Sequence, residues 1–163
     1  MNESAQRIVD TVCTSSRFSH DLVEGLERNG FREALGEAIT EQAANRNWTC
    51  LCRLIWVLHR FPNPDIVPLL ARLLYEREDD GCMEAIVDAL NVMTDARAVG
   101  SLKHALSYRM PGDDLAFHFN KKVINALARI GTPEAEAAIA EAMEDPETII
   151  QLFATDMLNR LKE

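Results

Sequence analysis

Apolar residues recur at three-and-four spacing along nearly the whole chain, and no segment alternates apolar with polar in the β-branched-rich manner of a strand. The pattern predicts helices and no sheet. Helices are expected over Ser4–Cys13, Ser19–Arg28, Phe31–Ala44, Trp48–Phe61, Pro64–Glu76, Cys82–Met93, Ala96–Tyr108, Leu115–Ile130, Pro133–Glu144 and Pro146–Leu161, joined by short turns. Asn63, Thr132 and Asp145 each precede a proline, so a capping oxygen stands next to a first helical residue that loses only an unpartnered amide. Asp95 takes the same place without the proline. Gly81 and Gly131 fall between helices, where a left-handed residue is easiest to accommodate.

The helices repeat. Segments starting at Asn63, Asp95 and Thr132 align without gaps, bringing Leu70, Leu102 and Ile139 into one column, Leu73, Ala105 and Ala142 into a second, and Leu74, Leu106 and Met143 into a third. The helices that follow align Leu54, Ile86, Val123 and Ala154, then Leu58, Leu90, Leu127 and Leu158, then Phe61, Met93, Ile130 and Leu161, the last in steps of 32, 37 and 31 residues. Two helices and their turns occupy about that length, and a lone helical hairpin cannot bury its apolar stripe, so the units must stack. The extra residues of the middle step fall around Ser107–Asp114.

The run Ala126-Leu127-Ala128-Arg129-Ile130-Gly131-Thr132-Pro133-Glu134-Ala135 resembles the helix end and turn of bacterial HEAT-like repeats of the phycobilin-lyase type. A weaker copy, Ala89 to Val99, carries Thr94 in place of the glycine. The resemblance runs from about Trp48 to Glu163. It implies an all-α, right-handed α-α superhelix, a short solenoid of stacked hairpins. We expect a single domain, with an atypical helical cap over 1–46 and repeats over 47–163. Such a fold licenses no particular activity.

Charge narrows the choice of partner. The net charge of −9 is unevenly placed, with seven basic and eight acidic residues up to Phe61 but ten and eighteen after it. A surface of that sign repels phosphates and anionic lipid and attracts basic partners, which argues for a basic protein and against nucleic acid or membrane. The opening residues do not read as a secretory signal, and the expectation is a cytoplasmic protein in which Cys13, Cys50, Cys52 and Cys82 remain reduced thiols. Carboxylates cluster at Glu76, Glu78, Asp79 and Asp80, at Asp113 and Asp114, and at Glu144, Asp145 and Glu147.

Aligned second helices also define a candidate binding face. Two positions after the Leu54 column stand Trp56, Asp88, Asn125 and Asp156; one turn away lie Cys52, Glu84, Lys121 and Leu152, and on the other side His59, Asn91, Ala128 and Asn159. Together they would line the concave flank that solenoids offer to partners. The helix around Trp56 is apolar nearly all round, which predicts a buried tryptophan, although an outward one beside Asp88 would be a strong anchor. The 107–114 loop, with Tyr108, Arg109 and Met110, is a second candidate recognition element.

No nucleophile elbow, phosphate-cradling loop or HExxH motif is present, and Cys50 and Cys52 point to different faces of their helix and cannot share a metal. The chain is therefore expected to bind and not to catalyse, without metal or cofactor. By analogy with small acidic helical proteins, the expected role is an inhibitor or immunity protein that neutralises a basic toxin or nuclease. The repeat subtype keeps a phycobilin lyase-like or accessory scaffold role open.

Overall fold

A computed structural model describes residues 1–14, 30–112 and 117–162. The helix expected over Ser19–Arg28 and the Asp113–Asp114 cluster lie outside the described residues. Among the described residues there are nine α-helices and no strand: α1 Glu3–Thr14, α2 Phe31–Ala44, α3 Trp48–Val57, α4 Val67–Glu76, α5 Asp80–Met93, α6 Val99–Ala105, α7 His118–Ile130, α8 Pro133–Glu141 and α9 Thr148–Leu161. Short 3-10 turns at Pro64–Ile66 and Ala96–Ala98 lead into α4 and α6, and one at Ala142–Glu144 follows α8. These turns account for the longer helices expected there.

Helices α4/α5, α6/α7 and α8/α9 form hairpins, and α2/α3 pair in the same way. The second helices pack in the order α3, α5, α7, α9 as one layer, and α4, α6 and α8 pack side by side as the other. Helix α1 lies against α2 and α3, burying Ala5, Ile8 and Val12. The fold is thus an all-α stack of HEAT-like hairpins.

The aligned columns are its interior. Leu54, Ile86, Val123 and Ala154 are buried, as are Leu58, Leu90 and Leu127, and in the other layer Leu70, Leu102 and Ile139. Each such leucine contributes about 1.5–3 kcal/mol by leaving water. The columns fade in the last unit, where Leu158 is half-buried and Met143 and Leu161 are exposed. On α9, Gln151 and Thr155 occupy the positions that on α5 and α7 are buried against a following helix, as Met83, Val87 and Ile124 are.

The punctuation works as the side chains allow. Asn63 accepts from the Asp65 amide at 3.1 Å, Asp95 from Arg97 at 2.9 Å, Thr132 from Ala135 at 3.2 Å and Asp145 from Glu147 at 2.9 Å. Gly131 ends α7 at φ +65, and Thr94 ends α5 in the same left-handed region at φ +50, a strained stand-in for glycine. Gly81 differs from expectation: it lies in the first turn of α5, and Arg77 (φ +49) is the left-handed residue that closes α4.

The cysteines correct the sequence reading. Cys13 is bonded to Cys50 and Cys52 to Cys82. Cys50 and Cys52 do point apart, as two residues on a helix must, so α3 is tied to α1 on one side and to α5 on the other. Sequence separations of 37 and 30 residues gave no framework to read, because stacking alone brings the partners together. Chain-entropy reasoning makes each worth roughly 4 kcal/mol.

Candidate partner-binding face

The outward side of the second-helix layer is built from the three predicted columns, and none of its twelve residues is buried. Trp56, Glu84, Leu152, Asp156 and Asn159 are exposed, while Cys52, His59, Asp88, Asn91, Lys121, Asn125 and Ala128 are half-buried. One helix position in each turn faces the core and its neighbours two residues away do not, so the Leu54 column fixes where this face must lie.

Trp56 is 48% exposed, which corrects its expected burial. Helix α3 is apolar nearly all round, yet Trp56 sits at the register occupied by Asp88, Asn125 and Asp156 in other units, and register decides. Its indole stacks on His59, with ring centroids 5.1 Å apart and planes at 21°. Burial pushes the His59 imidazole below its ordinary value; the Asp88 carboxylate acts in the opposite sense, and Lys122 pushes it down further. His59 Nε2 and Asn91 Oδ1 are enclosed and make no hydrogen bond among the described residues.

The centre of the face is an ion cluster spanning two units. Lys122 Nζ lies 2.6 Å from Asp88 and 3.1 Å from Glu84. Burial of the ammonium works against its charge, but the hydrogen bonds to Asp88 and Glu84 prevail and hold Lys122 above the usual lysine value. Sequence alignment pointed to Lys121 instead. That side chain lies over the Phe153 ring at 5.9 Å, whereas Lys122, one position round the helix, reaches back to α5. Two carboxylates one turn apart on α5, followed by a lysine on the next second helix, were the available signal. At the C-terminal end Asp156 pairs with Arg160 at 2.7 Å, and Leu152 is 65% exposed.

The insertion loop does different work from that expected of its composition. Tyr108 is only 7% exposed, so it is not the free recognition side chain that the loop suggested. Its hydroxyl lies 3.0 and 2.8 Å from the Leu74 and Tyr75 carbonyl oxygens, the unpaired acceptors at the end of α4. Arg77 stacks over its ring at 5.0 Å, and burial pushes the phenol above its ordinary value. Arg109 Nη2 donates to both Asp145 carboxylate oxygens, at 2.7 and 2.9 Å, while its Nη1 donates to the Leu106 and Tyr108 carbonyls. Buried Asn120 donates to the same two carbonyls at 2.7 and 3.2 Å.

The other acidic cluster is paired as well. Arg72 meets Glu76 and Glu78, Arg77 meets Asp80, and Asp79 caps α5 by accepting from the Cys82 amide at 3.0 Å. Cys52, Cys82 and an Asp79 oxygen have ligand atoms within 4.8 Å of one another, but the two sulfurs are bonded together. No helix among the described residues is long and apolar enough to cross a membrane.

Stacked hairpins with an aligned, unburied flank give the all-α fold a HEAT-like character. Residues 121–145, covering most of α7, all of α8 and the turn after it, match the family model described as PBS lyase HEAT-like repeat. That match falls on the segment whose sequence carried the resemblance. No match was found among curated proteins or among solved structures. Repeats of this kind mediate protein interactions or serve as scaffold- and lyase-like modules.

Proposed function

We propose that the chain is a non-enzymatic, cytoplasmic binding protein whose second-helix face takes a basic protein partner, and that the partner is a toxin or nuclease that it inhibits. One observation carries the proposal: an exposed tryptophan, stacked on His59, shares a face with the Glu84–Asp88 carboxylates, and the Asp88 charge acts on that imidazole. An indole plane beside carboxylates suits an arginine or lysine side chain, which gains from the ring face and from the opposite charge together. Lys122 now occupies those carboxylates, and a partner's guanidinium, with its forked donors, competes well for them. The chain's overall negative charge favours fast encounter with such a partner. Within the same proposal the chain is one domain, with residues 1–46 as an atypical N-terminal cap and the repeats over 47–163.

A photo-crosslinking amino acid at position 56, in cells that carry the protein's genomic neighbours, tests this. The expected catch is a basic protein whose binding weakens as salt rises and is lost in the Asp88→Lys/Asp156→Lys double variant, with the fold intact. Capture that ignores both salt and the double reversal defeats the proposal. The family match over residues 121–145 favours one rival, a phycobilin lyase-like or accessory scaffold role, for which bilin transfer in vitro is the readout.

A further inference from the structure

The two disulfides are built on one plan and differ in their electrostatic surroundings. Each joins a half-buried cysteine, Cys13 or Cys52, to a buried one, Cys50 or Cys82. Each buried cysteine is the third residue of a helix, Cys50 in α3 and Cys82 in α5. A thiol-bearing reagent from solvent therefore meets the Cys13 or Cys52 sulfur, and the sulfur expelled is the one at a helix N-terminus, where the partial positive charge favours a thiolate.

At Cys82 that advantage is opposed. The Asp79 carboxylate lies within 4.8 Å of both sulfurs and has already taken the Cys82 amide as its capping donor. A thiolate released there would stand against a like charge. At Cys50 the residue at the helix start carries no charge. It is Asn47, and it makes no side-chain cap, in contrast to Asp79 before α5. Arg53, three residues on and on the same side of α3 as Cys50, donates to the Cys13 carbonyl at 3.0 Å.

We propose that Cys13–Cys50 is a thiol-exchange site, with Cys13 the sulfur modified by small monothiols and Cys50 the leaving thiolate, while Cys52–Cys82 is the durable structural bond. In the exchange a monothiolate attacks the Cys13 sulfur, the Cys13–Cys50 bond breaks, and its electron pair leaves on Cys50. The product is a mixed disulfide at Cys13 and a thiolate at the first turn of α3. A second monothiolate attacks the small-molecule sulfur of that adduct, releases the symmetrical disulfide of the monothiol, and leaves Cys13 reduced. A lower-pKa leaving group departs faster, which sets the order of opening. Opening removes the only disulfide that, among the described residues, ties α1 to the stack. The inference is independent of the partner.

The test is differential alkylation of the folded, full-length chain in glutathione buffers of increasing reducing strength, read by peptide mass spectrometry. Cys13 and Cys50 should become labelled first, with exchange roughly tenfold faster than at Cys52 and Cys82, and the glutathione adduct should map to Cys13. Simultaneous opening, earlier opening of Cys52–Cys82, or an adduct on Cys50 overturns the proposal. Asp79→Asn retains a capping oxygen and removes the charge, so it should accelerate opening of Cys52–Cys82 several-fold and leave Cys13–Cys50 unchanged. An unaltered Cys52–Cys82 rate in that variant would refute the electrostatic account of their difference.

Discussion

Helices α5 and α9 stand at the same place in their respective units and are each 14 residues long, yet α5 buries eight of its residues and α9 two. The sequence columns treat them as equals. What separates them is company: α5 has α3 on one side and α7 on the other, whereas among the described residues α9 has only α7 beside it in the layer. Hydrophobic stabilisation scales with area withdrawn from water, so a leucine in an interior helix and its counterpart in α9 have different energetic weight despite identical register.

Mutations can break or sharpen that contrast. Leu90→Ala in α5 should cost about 2–5 kcal/mol in urea unfolding, because it opens a cavity between helices that cannot collapse fully. Asn120→Ala at the α6/α7 junction should cost about 1–3 kcal/mol, since the Leu106 and Tyr108 carbonyls lose a buried donor. Leu158→Ala, in the Leu90 column but on α9, should cost about 1 kcal/mol or less, as its side chain already meets water. Equal losses for Leu90 and Leu158 would show that neighbours do not set the burial energy.

The smallest effect concerns pH at the seam between α3 and α5. His59 is held below its ordinary value by burial, so below about pH 6.5 the unfolded chain takes up a proton that the folded one refuses. Stability is therefore unaffected above that range and falls as the pH drops through it. Thermal unfolding curves from pH 7 to 5 should be shallower in His59→Gln than in the wild type. An unchanged slope would mean that the seam admits the imidazolium without cost.

Much of this was legible beforehand because stacking converts sequence period into position. The leucine columns, the caps at Asn63, Asp95 and Thr132, and the outward register of Asp88 and Asn125 follow from helix geometry alone. Three things did not follow. The cysteine pairing depends on which helices become neighbours, which the spacing of 30 and 37 residues conceals. Trp56 is exposed because its register, and not the apolar average of α3, decides which way it faces. Tyr108 and Arg109 looked free because loops are usually wetted, whereas here the end of α4 and the Asp145 carboxylate each supplied a partner that composition cannot reveal.

Stacked hairpins ordinarily feel only their immediate neighbours and so tend to come apart piecemeal. Tyr108 and Arg109 are adjacent residues of one hairpin, and they grip the preceding hairpin at Leu74 and Tyr75 and the following one at Asp145. Through that dipeptide the middle of the array behaves as a riveted block: fraying that starts at the C-terminal hairpin must shear the Arg109–Asp145 pair before it can spread, and three hairpins then yield in one cooperative step.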